Sequence, residues 1–150
     1  MHYHCRVLIE APVALVYDAL TSAAGLQSWW TTTCEVGKRK GAESTFRFGE
    51  TYNVMRIEAL EPAKEVRWRC LEQYHHAPGQ LKRTDEWAGT TVLFKLESQT
   101  PGRTVLEFEH HGLHPQLECY AICERGWDHF LKQSLKTYLE TGRGQPFMKA

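Results

Sequence analysis

Residues 115–142, PQLECYAICERGWDHFLKQSLKTYLETG, decide the fold of this chain. Apolar side chains recur in this stretch at spacings of three and four residues, which places them on one face of a helix. The face is rich in aromatic residues and consists of Tyr120, Cys123, Trp127, Phe130, Leu131, Leu135 and Tyr138. The pattern predicts one long helix that begins at Pro115 and ends at Gly142. A helix with such a face needs a second layer to cover it.

The sequence before this helix has mostly the pattern of β-strands. Residues 3–10 alternate apolar and polar side chains, and the period of two returns from Thr32 onward. Two short helices are predicted in between, one after Pro12 and one that Ser22 can cap. Residues 86–97 are predicted to form one long strand with a bulge at Ala88–Gly89. This order of elements predicts an α+β fold in which an antiparallel sheet is covered on one face.

Length and composition narrow the classes of function. The 150 residues predict a single domain over residues 1–150, large enough to bury roughly 70% of the surface of the unfolded chain. The 18 basic and 18 acidic residues balance, so no charged field favours nucleic acid or a membrane surface. No apolar run approaches the ~20 residues of a membrane span, and the first residues do not have the pattern of a signal peptide. We therefore expect a cytoplasmic protein without membrane insertion.

The cysteine and histidine pattern gives no regular metal or disulfide motif. The five cysteines lack any CxxC pair, and in a core-forming domain they are expected to be free, mostly buried thiols. Cys119 and Cys123 are neighbours on the predicted helix. His75 and His76 lie in a polar loop over residues 75–81, where we expect solvated side chains and the greatest mobility.

The chain resembles a known superfamily along nearly its whole length. The segments that carry the resemblance are APVALVYDALT (11–21), GLQSWW (25–30), EWAGT (86–90), TVLEFEHHGL (104–113) and GWDHFLKQSLKTYLETGRGQP (126–146). They are similar to the SRPBCC (START-like, helix-grip) superfamily, in the branch related to the activator of heat-shock-protein ATPase, Aha-like C-terminal domain. The resemblance implies a seven-stranded curved antiparallel sheet wrapped around the long helix, with a hydrophobic cavity between them. Such relatives include lipid carriers, cyclases, toxin-sequestering proteins and a chaperone activator, so the fold alone does not settle the function.

Aromatic side chains dominate the predicted inward face. The candidate cavity-lining, ligand-binding residues are Trp30, Phe46, Phe48, Met55, Trp68, Trp87, Phe94, Phe108, His110, Trp127 and Phe130. The alternative is that these residues are simply the core. An empty cavity costs about 24 cal/mol per Å³, so ~300 Å³ would cost roughly 7 kcal/mol, comparable to the whole stability of a domain. We therefore expect bulky side chains to fill part of the space and to leave a small or narrow pocket.

Histidines offer two further interpretations. Alternation places His110 on the inward face, where it either orients a ligand or is a buried histidine with its hydrogen bonds satisfied. His2 and His4 share the outward face of the first strand, and His111 is outward on the last. A metal could bind this group, but no regular ligand spacing links the three positions.

Three functional hypotheses follow. The first is a binding protein that holds a small hydrophobic or aromatic molecule between the sheet and the long helix. The second is a protein-interaction or chaperone-cofactor-like module with a self-filled core and a protein partner. The third is a cyclase- or hydrolase-like enzyme that uses His110. The sequence assigns no catalytic residue, no metal and no cofactor, and it leaves monomer and homodimer open.

Overall fold

The computed structural model describes residues 1–148. Seven strands form one antiparallel sheet: β1 (Tyr3–Ile9), β2 (Thr33–Glu35), β3 (Glu43–Phe48), β4 (Thr51–Glu61), β5 (Glu65–Tyr74), β6 (Thr91–Thr100) and β7 (Arg103–His111). Their spatial order is β1-β7-β6-β5-β4-β3-β2. Two short helices follow β1, namely α1 (Val13–Thr21) and α2 (Ala23–Trp29). The predicted α+β helix-grip fold is confirmed.

The C-terminal helix is continuous but changes its winding. It consists of α3 (Tyr120–Trp127), a π-helical segment (Asp128–Leu135) and α4 (Lys136–Thr141). In the wider π segment, the buried Ser134 hydroxyl donates to the carbonyl of Trp29 at 2.6 Å and accepts from the amide of Gln145 at 2.7 Å. The helix ends at Gly142, whose φ of 88° is left-handed, as predicted for a helix-terminating glycine.

The predicted start of this helix at Pro115 was wrong. Residues 115–119 form turns in which the amides of Leu117 and Tyr120 bond to carbonyls three residues earlier. The amides of Glu118 and Cys119 instead donate to the carboxylate of Glu86, at 3.2 and 2.9 Å. A carboxylate from another part of the chain thus satisfies two amides just before the helix, which begins at Tyr120.

The predicted strand over residues 86–97 is confirmed from Thr91 onward, but its start at Glu86 and its bulge at Ala88–Gly89 were wrong. The strand β6 begins at Thr91, and residues 85–90 form tight turns closed by hydrogen bonds from Ala88 to Asp85 and from Thr90 to Trp87. Gly89 has a φ of 87°, a left-handed conformation that ends an extended segment. Trp87 therefore lies on a turn instead of on the sheet.

The core is an aromatic cluster between the sheet and the helices. Trp30, at the end of α2, is 2% exposed. Its ring lies 4.5 Å from that of Phe46, 5.7 Å from that of Trp68 and 5.3 Å from that of Trp127, measured between centroids. Offset and stacked aromatic pairs at these distances each add to the stability given by burial. Trp30 therefore joins the sheet to the C-terminal helix.

Gly25 marks the close approach of α1 and α2. A Cβ atom added at Gly25 would lie 2.6 Å from Cα of Ala19 and 2.8 Å from its carbonyl oxygen, whereas one added at Gly126 in α3 would meet open space.

We predict that Gly25→Ala lowers the free energy of unfolding by about 1–3 kcal/mol, because the helices must separate. Gly126→Ala should raise it by about 1 kcal/mol through helix propensity. Urea unfolding of both variants tests this, and two changes of the same sign would contradict it.

Candidate functional site

One cavity opens between the sheet and the C-terminal helix. Its volume is about 200 Å³, and it is lined by Trp30, Phe48, Thr51, Asn53, Gln73, His75, Trp87, Ile122, Cys123, Gly126, Trp127 and Phe130. We call Trp30, Asn53 and Trp127, each 2% exposed, the cavity floor. We call the half-buried Phe48, Thr51, Gly126 and Phe130 the cavity mouth. The site is thus an aromatic pocket with a solvent-facing opening.

Stacked tryptophans form the inner wall. The ring of Trp127 stacks on that of Trp30 at 5.3 Å with an interplanar angle of 21°. The ring of Trp127 also stacks on that of Trp87, with centroids 5.7 Å apart and an interplanar angle of 5°. Phe48 and Phe130 contact each other at the mouth, with ring centroids 6.0 Å apart. Flat apolar walls of this kind suit a planar ring.

A buried hydrogen-bond network fixes two of these tryptophans. The indole N–H of Trp127 donates to Nδ1 of His110 at 3.0 Å. Because Nδ1 is an acceptor, the proton of the neutral ring is on Nε2, which donates to the Thr90 hydroxyl at 2.8 Å. That hydroxyl in turn donates to the carbonyl of Trp87 at 2.6 Å. His110 therefore joins the turn that carries Trp87 to the helix that carries Trp127.

The environment of His110 keeps it neutral. The residue is 0% exposed, and burial, together with the nearby charges of His111 and His2, lowers its pKa from 6.5 to about 3. Both ring nitrogens are already engaged, and the side chain lies behind the wall formed by Trp87 and Trp127. The geometry thus gives His110 a positioning role and removes the access that acid–base chemistry would need.

Polar groups occupy the sheet side of the cavity. Asn53 and Gln73 are cross-strand partners on β4 and β5. The side-chain oxygen of Gln73 accepts the amide of Trp87 at 2.8 Å. The buried Oδ1 of Asn53 has no hydrogen-bond partner among residues 1–148. A buried acceptor in this condition is uncommon in folded proteins and is a natural point for a ligand donor.

A bulge explains why Gln73 points inward. The pairing of β4 with β5 runs from Val54–Glu72 directly to Met55–Cys70, so Leu71 is an extra residue. The alternation of β5 therefore shifts by one after Leu71, which turns Glu72 outward and Gln73 into the cavity.

A histidine and two cysteines meet at the edge of the cavity. One ligand atom each of His75, Cys119 and Cys123 lies within 4.8 Å of the others. The indole N–H of Trp87 donates to the sulfur of Cys123 at 3.3 Å. The expectation that His75 is solvated was wrong, because its Nδ1 is buried and, within residues 1–148, has no hydrogen-bond partner. The predicted free state of the five cysteines is confirmed.

Reciprocal carboxylate contacts hold the loop between β5 and β6 against the start of the C-terminal helix. The carboxylate of Glu118 accepts the amides of Lys82 and Arg83 at 2.7 and 2.8 Å, which lowers the pKa of Glu118. In return, the carboxylate of Glu86 in the loop accepts the amides of Glu118 and Cys119, just before the helix. These contacts position Trp87 and His75 beside α3. The greater mobility of residues 75–81 stays a prediction.

The structure divides the sequence-predicted site residues into two groups. One group lines the cavity: Trp30, Phe48, Trp87, Trp127 and Phe130. The other group is buried in the core behind the cavity wall: Phe46, Met55, Trp68, Phe94, Phe108 and His110. The sequence pattern predicts an inward position for both groups and does not distinguish between them.

Several cavity residues are absent from the sequence-based set. The sequence pattern could have predicted Asn53, because this residue lies two positions before the inward Met55 on β4. Cys123 was placed on the apolar helical face but not assigned to the site. Gln73 and His75 have no such signal, since a bulge orients the first and the loop geometry orients the second.

The outward histidines form a smaller surface group. His2 and His111 stack with centroids 4.4 Å apart, and each contacts Oε1 of Glu109 at 3.0 Å. These contacts lower the pKa of Glu109. His4 is exposed and pairs with Glu109 across the strands. The group of potential ligands consists of His2, Glu109 and His111 and does not include His4.

Comparison with protein families identifies the chain. The model of the family described as activator of Hsp90 ATPase homolog 1-like protein matches residues 10–140. The chain belongs to this family. A comparison with curated protein sequences finds no match.

Solved structures of Aha1-like and related proteins share the fold. The solution structure of the Aha1 dimer from Colwellia psychrerythraea is 30% identical, covers 96% of this chain and 99% of its own, and has a TM-score of 0.78. A protein of Staphylococcus saprophyticus is 18% identical over 97% of this chain and 96% of its own, with a TM-score of 0.73. A putative protein of the dynemicin biosynthetic locus is 20% identical, with a TM-score of 0.71, over 97% of this chain and 50% of its own.

The helices of this Aha1-like chain are short or amphipathic. In the part of the chain that the structure describes, none of them is long and apolar enough to cross a membrane.

Because His110 is buried and neutral, the free energy of unfolding should depend on pH. Below pH 6.5 the unfolded chain binds a proton at this residue, whereas the folded protein does not until the pH approaches about 3. The free energy of unfolding should therefore fall as the pH falls through this window, by about 1.4 kcal/mol per pH unit from this residue. His110→Gln keeps an acceptor and a donor and removes this dependence. Urea unfolding at several pH values in the window tests it, and equal slopes for the two proteins would contradict it.

Proposed function

We propose that this protein binds a small molecule with one aromatic ring and a hydrogen-bond donor, in the cavity between the sheet and α3. The observation that carries the proposal is a pocket of about 200 Å³ with aromatic walls and a buried acceptor, Oδ1 of Asn53, that lacks a partner among the described residues. An apolar cavity of ~150 Å³ is large enough for benzene. The size therefore supports one ring with a short substituent and argues against a lipid or sterol.

The expected affinity is modest. A phenol such as p-cresol has about eight non-hydrogen atoms, and small ligands gain between about 0.3 and 1.5 kcal/mol per atom. A middle value of ~0.7 kcal/mol per atom gives a dissociation constant of roughly 0.1 mM. The stacked tryptophans already hold their positions through the His110 network, so binding does not have to order them.

Two probes test the contributions of the aromatic ring and of the hydrogen-bond donor to the affinity separately. We expect p-cresol to bind about two- to tenfold more tightly than toluene, because its hydroxyl can donate to Oδ1 of Asn53 and such a bond contributes about 0.5–1.5 kcal/mol. Asn53→Leu should remove this preference while keeping the binding of toluene. The measurement is an NMR titration that follows the indole N–H signals of Trp30, Trp87 and Trp127. Trp29, whose indole N–H donates to the carbonyl of Ala19 at 2.7 Å, serves as the unchanged internal control.

A variant that fills the cavity provides the matched control. Gly126 lines the cavity and has open space at the position of a Cβ atom. Gly126→Leu should abolish binding of both probes and keep the fold, while Gly126→Ala should retain binding. Shifts that persist in Gly126→Leu, or that are the same for toluene and p-cresol in the wild type, would overturn the proposed site.

Family membership supports a second function, the regulation of a chaperone. The matched family is described as activator of Hsp90 ATPase homolog 1-like, and a relative forms a dimer. A surface-mediated interaction does not depend on the cavity. Stimulation of the ATPase of a purified Hsp90-type chaperone, by the wild type and by Gly126→Leu alike, would establish this role. Lack of stimulation by the wild type would remove it.

A further inference from the structure

Three metal-ligating side chains converge where the β5–β6 loop meets the C-terminal helix. One imidazole nitrogen of His75 and the sulfurs of Cys119 and Cys123 all lie within 4.8 Å of one another. Around a tetrahedral zinc ion, with Zn–S of about 2.3 Å and Zn–N of about 2.0 Å, ligand atoms are separated by roughly 3.5–3.8 Å. Small side-chain rotations therefore bring the three atoms to ligating distance of one point.

The fold holds the three residues from both sides. Cys119 and Cys123 are four residues apart at the first turn of α3, so their side chains share one face of the helix. His75 follows the last residue of β5, and its amide donates to the carbonyl of Thr84 at 2.7 Å. Glu86 anchors the loop to the amide of Cys119 at 2.9 Å. A strand end and a helix start, tied together by a carboxylate, therefore place the donors.

We propose that His75, Cys119 and Cys123 form a binding site for a thiophilic cation of the Zn²⁺ type. Two sulfurs and one imidazole are the donors that zinc prefers, whereas magnesium and calcium select oxygen. Two thiolates and one neutral imidazole would also balance the charge of the divalent ion, which suits a buried location. Binding of the metal does not require the proposed organic ligand.

An indole donor stands beside one of the two sulfurs. The Trp87 indole, 3.3 Å from the sulfur of Cys123, would remain as a donor to a metal-bound thiolate.

The surroundings leave one coordination position for a further ligand. His75 and Cys123 both line the cavity, so a metal held by them would adjoin it. Three protein ligands with an open fourth position are typical of reactive zinc sites, whereas structural sites are closed by four. A water molecule or an oxygen, nitrogen or sulfur atom of a cavity ligand could complete the tetrahedron.

The test is a titration of the reduced, metal-free full-length protein with Zn²⁺ against a chromophoric chelator, repeated with Co²⁺ as a spectroscopic probe. We expect one ion per chain and a sulfur-to-cobalt charge-transfer band. Cys119→Ser, Cys123→Ser and His75→Ala should each weaken zinc binding by about 100-fold or more, because each removes a direct ligand. The His2→Ala, His111→Ala double variant is the matched control and should bind zinc like the wild type.

Several results would overturn this site. These are a cobalt spectrum without a charge-transfer band, unchanged zinc affinity in the cysteine variants, or loss of binding in the His2, His111 double variant alone. Circular dichroism of the metal-free variants checks their fold, and His75→Ala, at a half-buried loop position, keeps the test decisive if a cysteine variant unfolds. Binding of p-cresol to the metal-free wild type is measured in parallel, so that failure of one site is distinguished from failure of the other.

Discussion

The structure depends on one constraint, the need of the buried indole N–H of Trp127 for an acceptor. Trp127 is 2% exposed, and a buried donor that loses its partner costs about 1–3 kcal/mol. Nδ1 of His110 meets the need, which fixes the proton on Nε2 and directs it to Thr90. Through Thr90 the same network holds the turn that carries Trp87. This network thus joins the C-terminal helix, the last strand and the β5–β6 loop at one point. The two tryptophans that it holds form part of the cavity wall.

The aromatic core explains why the cavity is small. Six candidate residues that could have lined a larger space are packed in the core instead, and Trp30 fills the middle of the fold. Filling avoids the free-energy cost of a large empty cavity. What remains is a pocket of about 200 Å³ at the side of the helix where Gly126 carries no side chain. This ring-sized space lies next to a thiol pair and a histidine.

Local patterns predicted most of the fold, and long-range contacts account for what they missed. Alternation identified the inward positions of Trp68, Phe94 and Phe108, because one face of an antiparallel sheet is buried. It could not show the bulge at Leu71 that turns Gln73 inward, since a bulge depends on pairing with β4. The start of the C-terminal helix and the approach of His75 to Cys119 depend on the carboxylate of Glu86, whose partners are more than thirty residues away. Spacing within one segment carries no information on such contacts.

The most direct measurement is a crystal structure of the protein grown with p-cresol. The account predicts one ring against the faces of Trp127 and Phe130 inside the cavity, with its hydroxyl at hydrogen-bond distance from Oδ1 of Asn53. A cavity closed by the surrounding side chains, or a ring bound at the surface while Asn53 bonds to another protein group, would contradict it.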